Sequence, residues 1–338
     1  MTEVLPVYHV DSWQTQLREV ITSVDALLLM LRLEREQVGY SEAADRQFPL
    51  RVPLAFARRM RTGDPRDPLL MQVLASADEL QAVPGYLRDP VGETGDANPR
   101  RGIIQKYQGR VLLMVASGCA VNCRYCFRRH FPYGENNNSR SEWRDALAYI
   151  GEDPNIKEVI FSGGDPLIAN DRLLAELVSQ IAAFPHVRRL RIHSRLPVVL
   201  PDRVTPGLLD AICHPHLQTV AVIHANHGNE IDRDVIAAVA AMRERDISVL
   251  NQAVLLGGIN DDAQTLVTLS EKLFAAGVLP YYLHLLDKVA GAAHFDLPEK
   301  RARHLLGEVA ASLPGYLVPR LVREETGARF KTGIGLLT

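Results

Sequence analysis

Residues 106–131 read KYQGRVLLMVASGCAVNCRYCFRRHF, and this stretch decides the fold. Its apolar run, Val111–Val115, predicts a short buried strand. Three cysteines follow at CxxxCxxC spacing, at Cys119, Cys123 and Cys126. Three cysteines so close together, in a chain expected to be intracellular, favour metal binding over disulfides. The sequence therefore predicts a strand that ends in a metal-binding loop.

Three interpretations of this loop are open. Thiolates are soft ligands that select iron–sulfur clusters or zinc. A cubane cluster usually takes four thiolates, so three would leave one iron open to a substrate or cofactor. Alternatively, His130 could complete a closed Cys₃His zinc site, or the cysteines could be unrelated buried residues. We favour the cluster, because zinc knuckles normally use paired CxxC elements. Cys213 stands alone and is most simply a small buried residue.

Length and charge exclude several classes of protein. The 338 residues suit one large α/β domain with a smaller addition, or two modest domains. The net charge of −2 does not favour a nucleic-acid partner. The first residues do not resemble a secretory signal, and the longest strongly apolar stretch, Ala26–Leu33, is too short to span a bilayer. We therefore expect a soluble, cytoplasmic protein without a membrane partner.

Strands and helices alternate after Arg101, which predicts right-handed βαβ units and a parallel sheet. The predicted strands are Val111–Val115, Glu158–Ser162, Leu190–His193, Gln218–Ile223, Ser248–Gln252 and Tyr281–Leu285. The predicted helices are Ser141–Ile150, Leu173–Phe184, Pro206–Cys213, Glu230–Arg245, Ala263–Ala276 and Pro298–Ser312. Six units are too few for a full barrel of about 250 residues, so a partial barrel and a doubly wound sheet are both open.

Polar residues follow most of the predicted strands, where both architectures place their chemistry. They are the cysteine loop, Gly163-Gly164-Asp165, Ser194-Arg195, His224 with Asn226, and Asp287. Paired glycines allow a close backbone approach or a positive φ, although an ordinary tight turn is equally open. Asp287 could cap a loop or await a cation, and His193, His224 and His227 could contact a ligand or be satisfied core residues.

The first hundred residues are predicted to be helical and irregular. Apolar spacing predicts one amphipathic helix over Trp13–Leu33, capped by Asp11 or Ser12. The stretch Thr62–Arg101 is rich in proline and glycine, which indicates turns and an extended linker.

Several motifs together resemble the lysine 2,3-aminomutases, radical S-adenosylmethionine (SAM) enzymes that also use pyridoxal phosphate. The resemblance covers about residues 50–331 and is greatest to a shorter bacterial branch whose product, (R)-β-lysine, modifies elongation factor P. The motifs that carry it are DPVGE (89–93), the cysteine stretch, FSGGDPL, SRLPVVLP, HANHGNEI, Asn251-Gln252 with VLLGGIND, and LDKVAGAAHF.

The resemblance implies an α/β fold with a partial (β/α)6 radical-SAM barrel. Its expected divisions are 1–100, a helical region and linker; 101–297, the barrel; and 298–338, a helix with the pyridoxal lysine. The implied cofactors are a [4Fe–4S] cluster, SAM and pyridoxal phosphate. The implied partners are L-lysine, a low-potential electron donor such as flavodoxin, and, indirectly, the enzymes that modify elongation factor P.

The resemblance also implies roles for individual residues. Cys119, Cys123 and Cys126 would bind the cluster, and Lys331 the pyridoxal carbonyl. Arg128 would bind the substrate carboxylate, and Asp287 its ε-ammonium. The remaining implied contacts are Lys106 and Arg110 to the phosphate, and Ser162, Gly163, Gly164, Asp165, His224 and Gln252 to SAM.

Two departures from the family pattern change the expectations. Glu324 stands where relatives carry an aspartate seven residues before the lysine, so we expect it to share recognition of the ε-ammonium. The chain has no cysteine after Cys213, so a zinc-clamped oligomer is not expected. The alternatives in function are a 2,3-aminomutase for glutamate or arginine, a zinc-stabilised binding module, and an electron-transfer iron–sulfur protein. A carboxylate at Asp287 argues against glutamate.

Overall fold

The computed structural model describes residues 12–136 and 140–337 and shows one mixed sheet whose strands follow one another in sequence order. Strands β2 to β8 are parallel, and the short β1 and β9 run antiparallel at the two edges. The strands of the described residues are β1 (Ile103–Ile104), β2 (Arg110–Ala116), β3 (Glu158–Gly163), β4 (Arg189–Ser194), β5 (Gln218–Ile223), β6 (Ser248–Val254), β7 (Leu279–His284), β8 (Arg320–Arg323) and β9 (Thr332–Gly333).

The sequential strand order identifies the architecture as a partial barrel. A doubly wound sheet reverses its strand order at a switch point, and this sheet has no reversal among the described strands. The six predicted strands are confirmed as β2 to β7. The sheet is wider than predicted, because β8 adds a further parallel strand and β1 and β9 extend the edges. The predicted divisions of the chain at residues 100 and 297 stay a prediction. Strands β8 and β9, which follow residue 297, belong to the same sheet as the barrel strands.

The helices between the strands agree with the prediction to within about three residues at each end. The α-helices of the described residues are α1 (Trp13–Arg18), α2 (Val24–Leu31), α3 (Arg35–Val38), α4 (Glu42–Gln47), α5 (Leu54–Ala57), α6 (Arg140–Glu152), α7 (Asp171–Ala182), α8 (Leu196–Val199), α9 (Pro206–Ile212), α10 (Arg233–Arg243), α11 (Ala263–Ala275) and α12 (Glu299–Ser312). Across the described residues, no helix has the length and apolarity that crossing a bilayer requires.

The single helix predicted over residues 13–33 is wrong, because the structure has two helices there. Ser12 caps α1 as predicted, by accepting a hydrogen bond from the backbone of Thr15, whereas Asp11 lies outside the described residues. The chain leaves the helix after Arg18, and Ile21 forms an antiparallel bridge with Val52. Ser23 then caps α2. The apolar spacing that favours a helix continues across this break. The backbone pairing of Ile21 with the distant Val52 nevertheless interrupts the helix.

Alternation along the strands separates the apolar core from the inner face of the sheet. In β4, Leu190 and Ile192 are buried and belong to the main apolar core beside the helices. Successive side chains of a strand point to opposite faces, so His193 lies on the other face. The same alternation in β6 puts Val249 and Ala253 in the core and Gln252 on the inner face. His193 and Gln252 therefore both lie on the inner face of the sheet.

A buried ionic network joins the first hundred residues to the cysteine loop. The carboxylate of Glu79 accepts a hydrogen bond from Arg124 Nε at 2.8 Å and another from Arg129 Nη2 at 2.8 Å. Both guanidinium groups also lie over the ring of Phe48, at 5.2 and 4.9 Å from its centroid. Since Arg124 lies between two of the loop cysteines, the amino-terminal region fixes the outer wall of the loop.

We predict that Glu79→Gln destabilises the protein by about 3–5 kcal/mol, because it leaves two buried guanidinium groups without a charged partner. Urea denaturation of the anaerobic full-length protein measures the loss. The control, Glu42→Gln, removes an exposed pair with Arg46 on one helix and should cost about 0.5 kcal/mol or less. Equal losses in the two variants would contradict the importance of this network.

Candidate active site

The three loop cysteines lie between β2 and α6 as free, half-buried thiols. A tight turn brings them together, with the amide of Cys126 bonded to the carbonyl of Cys123 at 3.0 Å. Burial raises the pKa of Cys126 to about 11, and the neighbouring Cys123 adds to the effect. A metal that binds here must therefore displace the thiol protons. The donor set fits an iron–sulfur cluster, since three soft thiolates leave one iron position open.

The Gly163-Gly164 turn packs against the cysteine loop. It uses both properties of paired glycines, a positive φ and a close approach of the backbone. Gly163 has a φ of +128°, and a Cβ there would lie 2.1 Å from the carbonyl oxygen of Ala116. A Cβ on Gly164 would lie 2.2 Å from the carbonyl oxygen of Gly118 and 3.0 Å from the sulfur of Cys119. Side chains at these positions would push the turn away from the loop. The two glycines therefore allow the turn to pack against the backbone of the cysteine loop.

His130 makes a main-chain contact that does not favour the zinc alternative. Its Nε2 lies 3.1 Å from the carbonyl oxygen of Ala290. Within residues 12–136 and 140–337, no three histidine, cysteine or carboxylate side chains surround a common position for one ion.

Arg128 is buried and already engaged by a carboxylate that the sequence-based prediction missed. Its Nε and Nη2 donate to the two oxygens of Glu93 at 2.6 and 2.8 Å, and its Nη1 donates to Ser162 Oγ at 2.9 Å. Glu93 belongs to the DPVGE motif, which was the available signal. A substrate carboxylate at Arg128 must therefore share the guanidinium with Glu93 or displace it.

The β8–β9 hairpin brings Glu324 and Lys331 together. Glu324 follows β8 and Lys331 precedes β9, and Lys331 Nζ lies 2.6 Å from Glu324 Oε2. Lys106 Nζ and the hydroxyl of Tyr107 each lie 2.7 Å from Glu324 Oε1. Burial alone would raise the pKa of Glu324, but Lys331 and Lys106 outweigh it and hold this pKa well below its usual range.

Asp287 lies in the same electrostatic neighbourhood, three residues beyond β7. Burial raises the pKa of its carboxyl to about 7, while Lys331 opposes the rise and Glu324 adds to it. A group with this pKa can gain or lose a proton near neutrality when a cation arrives. Arg110 is placed differently, at the amino end of β2, where its guanidinium lies 4.7 Å from the centroid of the Tyr107 ring.

Three histidines and a glutamine on or next to strands β4 to β7 carry buried polar atoms without a partner among the described residues. Such atoms are costly in a folded protein and commonly mark a place where a ligand binds. The pKa of His224 falls to about 3, first through burial and then through Arg195, so its ring is neutral. The four atoms are the Nε2 atoms of His193, His224 and His284, and Oε1 of Gln252.

Two of these residues were predicted as SAM contacts, and two were not. His193 was weighed as a satisfied core residue, yet its Nε2 is unpaired and its ring lies 5.8 Å from that of His224. His284 carries no motif that would have distinguished it. By contrast, His227 is satisfied locally, because its Nδ1 accepts a hydrogen bond from the backbone of Asn229.

Comparison with known proteins gives the family. The model of the Radical SAM superfamily matches residues 113–269. The L-lysine 2,3-aminomutase of Escherichia coli K12 is 49% identical over 327 residues, which is 96% of this chain and 95% of that protein. The enzyme of the same name from Haemophilus influenzae is 47% identical, over 95% of each chain. That from Clostridium subterminale is 31% identical, over 96% of this chain and 78% of its own length.

Solved structures with a similar arrangement are more distant. One is native anSMEcpe with bound AdoMet, at 12% identity and a TM-score of 0.45, covering 60% of this chain and 58% of that one. The family implies a [4Fe–4S] cluster and SAM as cofactors, and its members are isomerases. The predicted family is confirmed: this chain belongs to the lysine 2,3-aminomutases.

Proposed function

We propose that this protein is a pyridoxal phosphate-dependent aminomutase that converts L-α-lysine into (R)-β-lysine. The observation that carries the proposal is the buried carboxylate of Glu324, held between Lys331 and Lys106 beside Asp287. An amine nucleophile, a second cation and two carboxylates thus meet within one site. These are the groups needed to hold an aldehyde cofactor with a phosphate and a substrate with a cationic side chain.

The cofactors supply the reactive chemistry and the protein supplies position. When bound, the cluster and SAM supply a carbon radical, and pyridoxal phosphate supplies a carbonyl and a conjugated ring that stabilises an unpaired electron. In this proposal Cys119, Cys123 and Cys126 bind the cluster. Residues Ser162–Asp165, with His224 and Gln252, contact SAM. The unpaired Nε2 and Oε1 atoms of the last two support that role.

Charge supports lysine as the substrate. Lys331 pairs with Glu324 in this structure, and its nitrogen would leave that carboxylate when it bonds to the cofactor carbonyl. Glu324 and Asp287 could then both face the ε-ammonium, while Arg128 orients the carboxylate. Two anchors at opposite ends of the substrate restrict which carbon can approach the radical. Glutamate would present a second anion to two carboxylates, which disfavours it.

The same proposal includes a role in modifying elongation factor P, a flavodoxin-like electron donor and a cytoplasmic location. The motifs shared with the shorter bacterial branch support a role in supplying (R)-β-lysine for that modification.

The first test is a product assay under strict anaerobiosis. Protein reconstituted with iron, sulfide and pyridoxal phosphate is supplied with SAM, reductant and lysine, arginine or glutamate in parallel. We expect β-lysine with 5′-deoxyadenosine from lysine alone, because the paired carboxylates select a cationic chain with an ammonium end. Mass spectrometry after chiral derivatisation identifies the enantiomer. A β-amino acid from arginine or glutamate in place of β-lysine would overturn the substrate assignment.

Lys331→Ala should keep the cluster but lose the pyridoxal adduct, because the variant lacks the amine that bonds to the carbonyl. Borohydride reduction followed by peptide mass spectrometry measures the adduct, and iron and sulfide analysis measures the cluster. The matched control is Lys300→Ala, which removes an exposed lysine on α12 and should retain both. An adduct of unchanged yield in Lys331→Ala would refute the assignment.

The affinity for lysine should rise with pH, roughly tenfold between about pH 6 and pH 8. With a pKa raised to about 7, Asp287 is mostly neutral at the lower pH and mostly ionised at the higher one. Its ionised form attracts the ε-ammonium, which stays protonated throughout. Calorimetric titration of the reconstituted protein with lysine measures the affinity. The dependence should disappear in Asp287→Asn and persist in Asp234→Asn, which changes an exposed carboxylate.

A further inference from the structure

Arg195 is a buried cation that none of the roles proposed above uses. It directly follows β4, and its backbone amide donates to Asp165 Oδ2 at 2.8 Å. The residue is 5% exposed. The guanidinium lies between two aromatic rings, 5.3 Å from the centroid of Phe56 and 5.6 Å from that of Tyr125. A charged group is buried in this way only where partners compensate its desolvation.

One partner of this guanidinium is a cysteine of the loop. Arg195 Nη1 lies 2.7 Å from the sulfur of Cys123. Its Nη2 donates to Gln72 Oε1 at 2.7 Å and to Glu230 Oε2 at 3.1 Å. The sulfur therefore faces a positively charged guanidinium, whose other terminal nitrogen is bound by the amide of Gln72 and the carboxylate of Glu230.

Neighbouring contacts prevent the guanidinium from turning away. Gln72 is fully buried, and its Nε2 donates to Glu230 Oε1 at 3.1 Å and to the carbonyl of Pro68. The side-chain amide of Asn226 donates to Gln72 Oε1 at 3.0 Å. The donor is therefore preorganised, and the amino-terminal region contributes to it through Gln72.

We propose that Arg195 raises the reduction potential of the cluster by donating a charge-assisted hydrogen bond to the sulfur of Cys123. The inference rests on the proposed binding of the cluster by the three cysteines, but not on which amino acid is the substrate. Reduction adds one electron from a low-potential one-electron donor, and much of the added negative charge is carried by the sulfurs. Hydrogen bonds and cations at those sulfurs stabilise the reduced form more than the oxidised one. Burial strengthens the effect.

The negative charge of Glu230 partly offsets the effect of Arg195 on the reduction potential, but it leaves the hydrogen bond to the sulfur in place. It pairs with Nη2, whereas the sulfur contacts Nη1. Glu230 Oε1 also accepts hydrogen bonds from the backbone amides of Asn226 and His227. A glutamine at position 230 would keep an oxygen for those amides, so Glu230→Gln separates the effect of charge from the effect of structure.

The test is an EPR-monitored redox titration of the reconstituted full-length protein without SAM. In Arg195→Gln/Glu230→Gln, where no buried charge is left unpaired, about tenfold less cluster should be reduced at a given potential, a shift of about −59 mV for one electron. Glu230→Gln alone should leave the potential unchanged or more positive. Arg203→Gln removes a fully buried guanidinium that pairs with Asp171, and should leave the potential unchanged. An unchanged potential in a double variant with full iron and sulfide would overturn the inference.

A second measurement decides the matter if the double variant holds no cluster. In wild-type protein whose arginines carry ¹⁵N only in the guanidinium group, pulsed EPR of the reduced cluster should detect a coupled ¹⁵N nucleus. Among the described residues, Arg195 is the arginine whose side chain donates a hydrogen bond to a cysteine sulfur, whereas Arg128 bonds to Cys126 through its unlabelled backbone amide. Absence of the coupling would overturn the inference about Arg195 and leave the cysteine assignment standing. A wild-type protein that assembles no cluster would overturn the cysteine assignment, and with it this inference.

Discussion

The close approach of the Gly163-Gly164 turn to the cysteine loop is the constraint on which the rest of the site depends. It brings the end of β3 against the loop that follows β2, through hydrogen bonds from Gly164 and Asp165 to Ala116 and Gly118, each of 2.8 Å. Asp165 then accepts hydrogen bonds from the start of α8, which places Arg195. Ser162 and Gly163 accept hydrogen bonds from Arg128. One short contact thus positions both cations next to the cysteines.

A chain of alternating charges leads from this contact to the opposite side of the site. Arg128 pairs with Glu93, Glu93 lies 3.5 Å from Lys106, and Lys106 pairs with Glu324, which holds Lys331. Buried charges are tolerated only while they are paired, so each member depends on its neighbours. A zwitterionic substrate could exchange with both ends of such a chain, its carboxylate replacing Glu93 at Arg128 and its ammonium replacing Lys331 at Glu324. The free protein would then already carry the charge pattern of the substrate.

The sequence predicted the elements whose pattern is local. The six strands β2 to β7 and the helices after them carry enough residues for a period to show, and the cysteine spacing is compact. The two-residue strands β1 and β9 carry no period, and the break after α1 depends on pairing with Val52. Glu93 and Lys106 precede β2, whereas Glu324 follows β8, so a rule based on strand ends does not anticipate their contact. The partners of a buried charge are set by tertiary structure.

The same reasoning gives the amino-terminal region a role. The carbonyl of Cys119 accepts a hydrogen bond from Arg51 Nε at 2.8 Å, and the amide of Arg124 donates to the carbonyl of Gln72 at 2.9 Å. Glu79 and Gln72 hold the side chains of Arg124 and Arg195 on either side of the loop. The barrel supplies the inner wall of the cysteine loop, and residues 51–79 supply the outer one. A loop that is rigid enough to fix three thiolates therefore requires both parts of the chain to be folded.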